Sequence, residues 1–123
     1  MKRILGVAAA AACLLAASAC APPTIEKDAT YRSLDSLISA VQTAGLKCEG
    51  EVQKFSDGSS EYRTCGMNGW AAIYGTTSER DRQVRIQSGS TDSVMVIGPN
   101  WIVKAPLGDA KAVNDKLGGS IHE

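Results

Sequence analysis

The chain has 123 residues and a formal net charge of zero, from 13 basic and 13 acidic side chains. This length suits one small domain rather than several. Nucleic acids and anionic lipid surfaces attract proteins with a basic surplus, which this chain lacks. The composition therefore argues against a general binder of either, and we expect no nucleic-acid partner.

The N-terminal segment has the pattern of a lipoprotein signal peptide. A basic start (1–3) precedes an uncharged apolar run (4–19) that ends in small residues directly before Cys20. The sixteen apolar residues are fewer than the roughly twenty that cross a bilayer. We predict that residues 1–19 are removed on export. A diacylglyceryl thioether on Cys20, with palmitate or a similar acyl chain, then holds the protein to the outer face of the cell membrane. Plain secretion and an uncleaved anchor are the alternatives.

The cysteine count supports lipidation. Of four cysteines, Cys13 lies within the signal, which leaves Cys20, Cys48 and Cys65 in the exported chain. An odd number of thiols in an oxidising compartment requires an explanation, and a lipid on Cys20 provides one. Cys48 and Cys65 are then expected to form a disulfide. Closing a loop of about eighteen residues stabilises a fold by roughly 3 kcal/mol.

The exported chain divides into a tether and a domain. Residues 20–30 are predicted to be a flexible tether, because Pro22-Pro23 favours extended geometry and the polar residues after it show no periodicity. Residues 31–123 are predicted to form one α+β domain. We expect an antiparallel sheet of about four to five strands, two or three helices and one disulfide.

The clearest predicted element is a helix that begins after Ser33, a suitable N-cap. Gly45 supplies its end. Apolar residues recur along it at the helical spacing i, i+3, i+4 and i+7, namely Leu34, Leu37, Ile38 and Val41.

Three strands are predicted next, at residues 48–55, 61–65 and 70–74. The first two are joined by a turn rich in serine, aspartate and glycine. Cys48 and Cys65 would lie at the open end of this hairpin, where a disulfide fixes its register.

The segment 77–88 has two interpretations. Ser78 as an N-cap ahead of acidic residues favours a short amphipathic helix. Val84 and Ile86 alternate with charged residues, which indicates a strand. The helix is preferred.

Two apolar runs, 94–97 and 101–103, predict a hairpin of central strands covered on both faces. Between them, Pro99 and Asn100 predict a type II turn, in which Asn100 takes the positive φ. A final helix is expected to be capped by Asp109, to turn residues such as Val113 and Leu117 inward, and to end at Gly118-Gly119.

No catalytic or metal-binding motif is recognisable. The one histidine, His122, lies next to the end of the chain, which makes a Ser-His pair improbable. The sequence Asp57-Gly58-Ser59 partly resembles a calcium-binding loop, but it lacks the spaced acidic residues of such a loop. A solvated turn is the better interpretation. We expect no metal and no cofactor.

Two pairs of carboxylates are candidates for acid–base chemistry. Glu49 and Glu51 share one face of a predicted strand, and Glu79 and Asp81 form a second pair. Such pairs are more often the solvated face of an element, and the sequence does not identify the chain as an enzyme.

Trp70 and Trp101 are the candidate binding residues. In a chain with few aromatic residues, two tryptophans are either core anchors or a platform for a ligand. If both rings are exposed on one face beside Arg63 or Lys104, a patch for carbohydrate or peptide is expected.

Several segments together resemble small lipoproteins encoded by actinobacteria and by some of their phages. They are the signal ending at Cys20, the segment Ala44-Gly45-Leu46-Lys47-Cys48, Cys65, and Gly98-Pro99-Asn100-Trp101 ahead of Gly118-Gly119. The resemblance covers nearly the whole chain. It implies a compact α+β domain displayed outside the membrane, and it implies no activity.

The sequence thus predicts a non-catalytic binding or interaction module, attached to the membrane through a lipid on Cys20. Its partner would be a protein or a ligand of the cell envelope. One alternative is a phage-type lipoprotein that excludes a second phage, a task suited to short lipoproteins. The other is a small envelope-acting enzyme that uses carboxylates such as Glu49 and Glu51.

Overall fold

The structure, a computed structural model, describes residues 25–89 and 92–123. The predicted signal (1–19), Cys20 and the first part of the predicted tether lie outside this range. The predicted α+β class is confirmed, since the described residues contain three helices and six strands. In chain order these are α1 (Leu34–Thr43), β1 (Gln53–Lys54), β2 (Glu61–Thr64), β3 (Trp70–Ile73), α2 (Thr77–Gln87), β4 (Val94–Ile97), β5 (Trp101–Ala105), α3 (Leu107–Leu117) and β6 (Ser120–His122). No helix in this part of the chain is long and apolar enough to cross a membrane.

The strands form one sheet in the order β1-β2-β3-β5-β4-β6, and each neighbouring pair is antiparallel. The sheet is wider than the four to five strands expected. The added strand is β6, which follows Gly118-Gly119 and pairs with β4 at the sheet edge. Its three residues lack an apolar pattern, which explains why the sequence did not reveal it.

Helix α1 begins and ends as expected. The Ser33 hydroxyl accepts a hydrogen bond from the Ser36 backbone at 3.2 Å, and the Ser36 side chain caps Ser33 in return. At the other end, Gly45 has φ +97°. The amide of Leu46 donates to the Val41 carbonyl at 3.3 Å, which completes a Schellman motif. The apolar face of α1 is buried.

The two faces of the sheet are covered unequally. Helices α1 and α3 pack on one face, where they enclose the larger hydrophobic cluster. Helix α2 covers the other face and buries only Gln83. The second face therefore keeps aromatic side chains that are only partly covered.

Helix α2 confirms the helical interpretation of residues 77–88, but its cap differs. Thr76, not Ser78, is the N-cap, because Thr76 has extended backbone and its hydroxyl accepts from the Glu79 amide at 3.2 Å. Arg80 fastens the helix to the β4–β5 turn by donating to the carbonyls of Gly98 at 2.9 Å and Pro99 at 2.7 Å.

The β4–β5 hairpin is present, and every residue of β5 is buried, as predicted. The turn type was predicted wrongly, since Asn100 does not have a positive φ. Its side chain is used in a different way. Asn100 accepts from the Tyr31 amide at 3.1 Å and donates to the Tyr31 carbonyl at 2.7 Å. These long-range bonds hold the turn against the backbone at Tyr31.

The cap of α3 was also predicted wrongly. The helix begins at Leu107 after Pro106, and no side chain caps it. Asp109 lies in the first turn, where its negative charge favours the positive end of the helix dipole. Gly118 ends the helix with φ +80°, as expected.

The C-terminal half of the predicted tether is part of the domain. The Asp28 amide donates to the Leu117 carbonyl at 2.8 Å, and the Asp28 carboxylate accepts from the Gly119 amide at 2.7 Å. Residues 25–30 therefore form a docked segment, which we call the strap. The hydrogen bonds that anchor it join residues about ninety positions apart, so the composition of the segment does not predict them.

Candidate functional site

The predicted disulfide is present and lies in the core. Cys48 and Cys65 are bonded and are each 2% exposed. The bond joins the segment after α1 to the end of β2, at the open end of the β1–β2 hairpin as expected. Because both sulfurs are buried in a bond, neither serves as a nucleophile.

Trp101 is a core anchor, so the prediction of Trp101 as a candidate binding residue is wrong. Its ring is fully buried, and its indole N–H donates to the Ala29 carbonyl of the strap at 2.9 Å. Tyr31 packs edge-on against it, with ring centroids 6.2 Å apart. Trp101 therefore anchors the strap to the sheet.

Trp70 lies on the opposite face of the sheet and is only half-buried. In β3 it stands directly across from Thr64 of β2 and from Lys104 of β5. Directly opposed residues project to the same face of a sheet. Trp70 and Lys104 are therefore neighbours on this face, as one of the predicted patches requires. Trp101 does not join them. Arg63 alternates with Tyr62 and Thr64 and belongs to the other face.

Two adjoining cavities on this face share Trp70 in their walls, and we call them together the Trp70 cleft. The first has a volume of about 410 Å³ and is lined by Trp70 with Lys54, Phe55, Ser56, Tyr62, Gln83 and Gln87. The second has a volume of about 300 Å³ and is lined by Trp70 with Thr64, Met67, Asn68, Gly69, Asp92, Ser93 and Lys104. Aromatic walls with a few polar groups and this volume are typical of small-molecule sites.

Three aromatic rings on this face contact one another beside Trp70. The Phe55 ring lies 4.9 Å from the Tyr62 ring and 5.7 Å from the Tyr74 ring, between centroids. Phe55 and Tyr62 come together because β1 and β2 are joined by a tight turn. No sequence motif marks these two residues as a site; only the alternation of Tyr62 with polar residues in β2 indicates a partly exposed aromatic face.

Lys104 is the unusual group in the cleft. It lies in a central strand and is only 9% exposed. Its ammonium donates to the Gln87 side-chain oxygen at 3.2 Å. The ion pairs found among the described residues are Arg80–Asp81 and Glu79–Arg82, and neither includes Lys104. Among the described residues, the ammonium thus has a neutral amide as its partner and no carboxylate.

Tyr74 also carries an unused polar group. Its hydroxyl is buried without a hydrogen-bond partner in the described part of the chain. Burial, reinforced by the carboxylates of Asp57 and Glu79, raises the pKa of Tyr74 above its ordinary value. The phenol therefore stays protonated and remains a hydrogen-bond donor.

The carboxylate pairs do not form an acid–base site. Glu49 and Glu51 are both exposed, and neither lines the Trp70 cleft. Glu79 and Asp81 are engaged with arginines instead, at 3.6 Å to Arg82 and 2.9 Å to Arg80 respectively. The geometry required by the enzyme hypothesis, two carboxylates converging in a cleft, is not met by either pair.

A serine does lie beside the histidine, contrary to expectation. Ser88 Oγ and His122 Nε2 are 3.2 Å apart, because β6 brings the end of the chain next to α2. Ser88 donates its hydroxyl proton to the Val84 carbonyl. His122 must then act as the donor in the contact, which is the reverse of the role of a general base. The pair ties β6 to α2.

The turn at Asp57 is closed by its own residues. The carboxylate accepts from the amides of Ser59 at 3.2 Å and Ser60 at 3.0 Å and from the Ser60 hydroxyl at 2.6 Å. These bonds, led by those to Ser60, lower the pKa of Asp57. Within the described residues, no group of three or more potential ligands is placed to hold a metal ion.

Comparisons with protein families, with curated proteins and with solved structures found no match for this chain.

Proposed function

We propose that this protein is an exported lipoprotein, held to the outer face of the cell membrane by acyl chains on Cys20, and that its domain is a binding module whose contact site is the Trp70 cleft. The signal pattern before Cys20 is the observation that carries the proposal. The small actinobacterial lipoproteins that the sequence resembles have the same arrangement.

The disulfide supports export. Such bonds persist in oxidising compartments and are rare in the cytosol. Since Cys48 is paired with Cys65, Cys20 is the remaining thiol of the exported chain. Lipidation would remove that thiol from intermolecular exchange.

The strap brings the domain close to the proposed anchor. The five residue-to-residue steps from Cys20 to Ile25 span at most about 18 Å. Ile25 packs beside α1, whereas the Trp70 cleft opens on the other face of the sheet. A ligand could therefore reach the cleft while the α1 side stays near the lipid surface.

Fractionation of cells that express the full precursor tests this function. We expect the wild-type protein in the membrane fraction and the Cys20→Ala variant in the soluble exported fraction. Cys13→Ala is the matched control, because Cys13 belongs to the segment removed on export, and its membrane retention should be unchanged. Retention of the Cys20→Ala variant in the membrane would contradict a lipid anchor.

A further inference from the structure

The strongest unexplained feature of the fold is the charge on Lys104. A charged side chain that is removed from water is normally paired with an opposite charge. Lys104 has only the Gln87 oxygen as its hydrogen-bond partner, so two of its three N–H donors are unused within the described residues. Asp92 lines the same cavity but does not form an ion pair with it.

Lys104 also sets the orientation of Gln87. Because the Gln87 oxygen accepts from the ammonium, its NH₂ group is left to donate elsewhere. Gln87 lines the cavity next to Trp70. Gln87 lines the first cavity and Lys104 the second, and the hydrogen bond between them brings both donors together beside the shared Trp70, where an acceptor on a ligand would meet them.

The remaining walls suit a hydroxyl-rich ring. Trp70, Tyr62 and Phe55 offer flat apolar surfaces on which the C–H face of a sugar can lie. Thr64 and Asn68 add neutral polar side chains in the adjoining cavity. Aromatic rings flanked by amides and hydroxyls match a ligand with one apolar face and several hydroxyl groups.

We propose that the Trp70 cleft binds an acidic saccharide, with a uronate carboxylate held by the Lys104 ammonium and the Gln87 amide while the sugar ring stacks on Trp70. This rests on the proposed function only in assuming a ligand of the cell envelope. A singly charged carboxylate matches one buried ammonium. A polyphosphate or nucleic acid would require a basic surface, which a chain of zero formal net charge does not supply.

Calorimetric titration of the purified protein with tri-galacturonate tests the proposal. We expect binding at millimolar concentration or tighter, and at least about tenfold weaker binding of the neutral methyl ester of the same trisaccharide, equivalent to about 1.4 kcal/mol. Lys104→Met keeps the apolar stem and removes the charge, and it should weaken binding of tri-galacturonate by a similar factor. Lys111→Met, an exposed lysine on α3, should leave binding unchanged.

Four outcomes overturn the proposal: no binding of tri-galacturonate, equal binding of its ester, full affinity in Lys104→Met, or preferential binding of tri-alanine through its terminal carboxylate. If Lys104→Met does not fold, the comparison of acid and ester on the wild-type protein still decides the matter, and Gln87→Leu provides a second variant that should weaken binding. The titration does not depend on lipid at Cys20. A result against the lipid anchor and a result against the saccharide ligand can therefore be told apart.

Discussion

Asp57 shows how one side chain organises a turn and links it to the sheet. Its carboxylate holds Ser60, and the buried Ser60 hydroxyl in turn accepts from the Gly75 amide at 3.3 Å. The turn between β1 and β2 is thereby joined to the end of β3, beside the aromatic wall of the Trp70 cleft.

A pH dependence follows from this turn. Because the pKa of Asp57 is lowered in the folded state, its contribution is fully present above the ordinary value of 3.8 and is lost as the pH falls through the lower folded value. We expect Asp57→Asn to lose less stability than wild type as the pH is lowered from the ordinary value of 3.8. Thermal unfolding monitored by circular dichroism measures this. An equal loss in the two proteins would show that Asp57 does not contribute.

For Tyr74 we expect that a substitution increases stability. Its buried hydroxyl has no partner in the described part of the chain, and such a group costs about 1–3 kcal/mol. Tyr74→Phe should therefore be neutral or stabilising by up to about that amount. Tyr62→Phe is the control, because the Tyr62 side chain is half-buried at the cleft. Denaturant unfolding measures both variants, and clear destabilisation of Tyr74→Phe would contradict the assignment.

Among the elements, the end of α1 shows what glycine contributes. Gly45 has φ +97°, and an added Cβ would meet no atom within 4 Å, so any cost of Gly45→Ala arises from the backbone alone. We expect a loss of about 1–2 kcal/mol. Gly108 near the start of α3 is equally open but has no such φ. Gly108→Ala should instead stabilise the fold by up to about 1 kcal/mol. Chemical denaturation checks both, and equal effects would contradict the backbone argument.

At the scale of elements, the local sequence pattern predicted those helices and strands whose bounds depend on nearby residues. The spacing of Leu34 to Val41, with Ser33 and Gly45 at its ends, was enough for α1, and the uninterrupted apolar runs were enough for β4 and β5. The cap of α2 was predicted wrongly because both Thr76 and Ser78 are able to cap, and the extended backbone of Thr76 decides between them. The start of α3 was predicted wrongly because no side chain caps it, and Asp109 lies inside its first turn.

The site was only half predictable. The scarcity of aromatic residues marks Trp70 and Trp101 as candidates, but which one is exposed depends on the pairing of β3 with β5. That register places Ile73 opposite Trp101 on the α1 side and Lys104 opposite Trp70 on the other. One sequence has no local signal for such a register, since the paired residues are about thirty positions apart.

At the scale of the whole molecule, the strap joins both ends of the described chain. Trp101 binds the strap at Ala29, Asn100 binds Tyr31 directly after it, and Asp28 binds the segment between α3 and β6. The docking of residues 25–30 on the domain could not be predicted from composition, because their partners lie far along the chain. Because the strap is docked, only a short length of chain separates the proposed anchor at Cys20 from the domain.

The strap predicts a difference between two variants of Asp28. This residue has φ +58° and accepts a hydrogen bond from Gly119. Asp28→Ala loses the acceptor and is strained at that φ, so we expect a loss of about 1–3 kcal/mol. Asp28→Asn keeps an oxygen acceptor and tolerates the backbone, and it should retain most of the stability. Faster hydrogen exchange of the Gly119 amide in the alanine variant alone would agree, whereas equal exchange would count against the strap.

The most direct measurement of the central claim is the intact mass of the protein isolated from the membranes of its natural host. We expect a chain that begins at Cys20, carries acyl chains on that sulfur and is two hydrogens lighter for the Cys48–Cys65 bond. A chain that still starts at Met1, or one that starts at residue 20 with an unmodified thiol, would contradict the account.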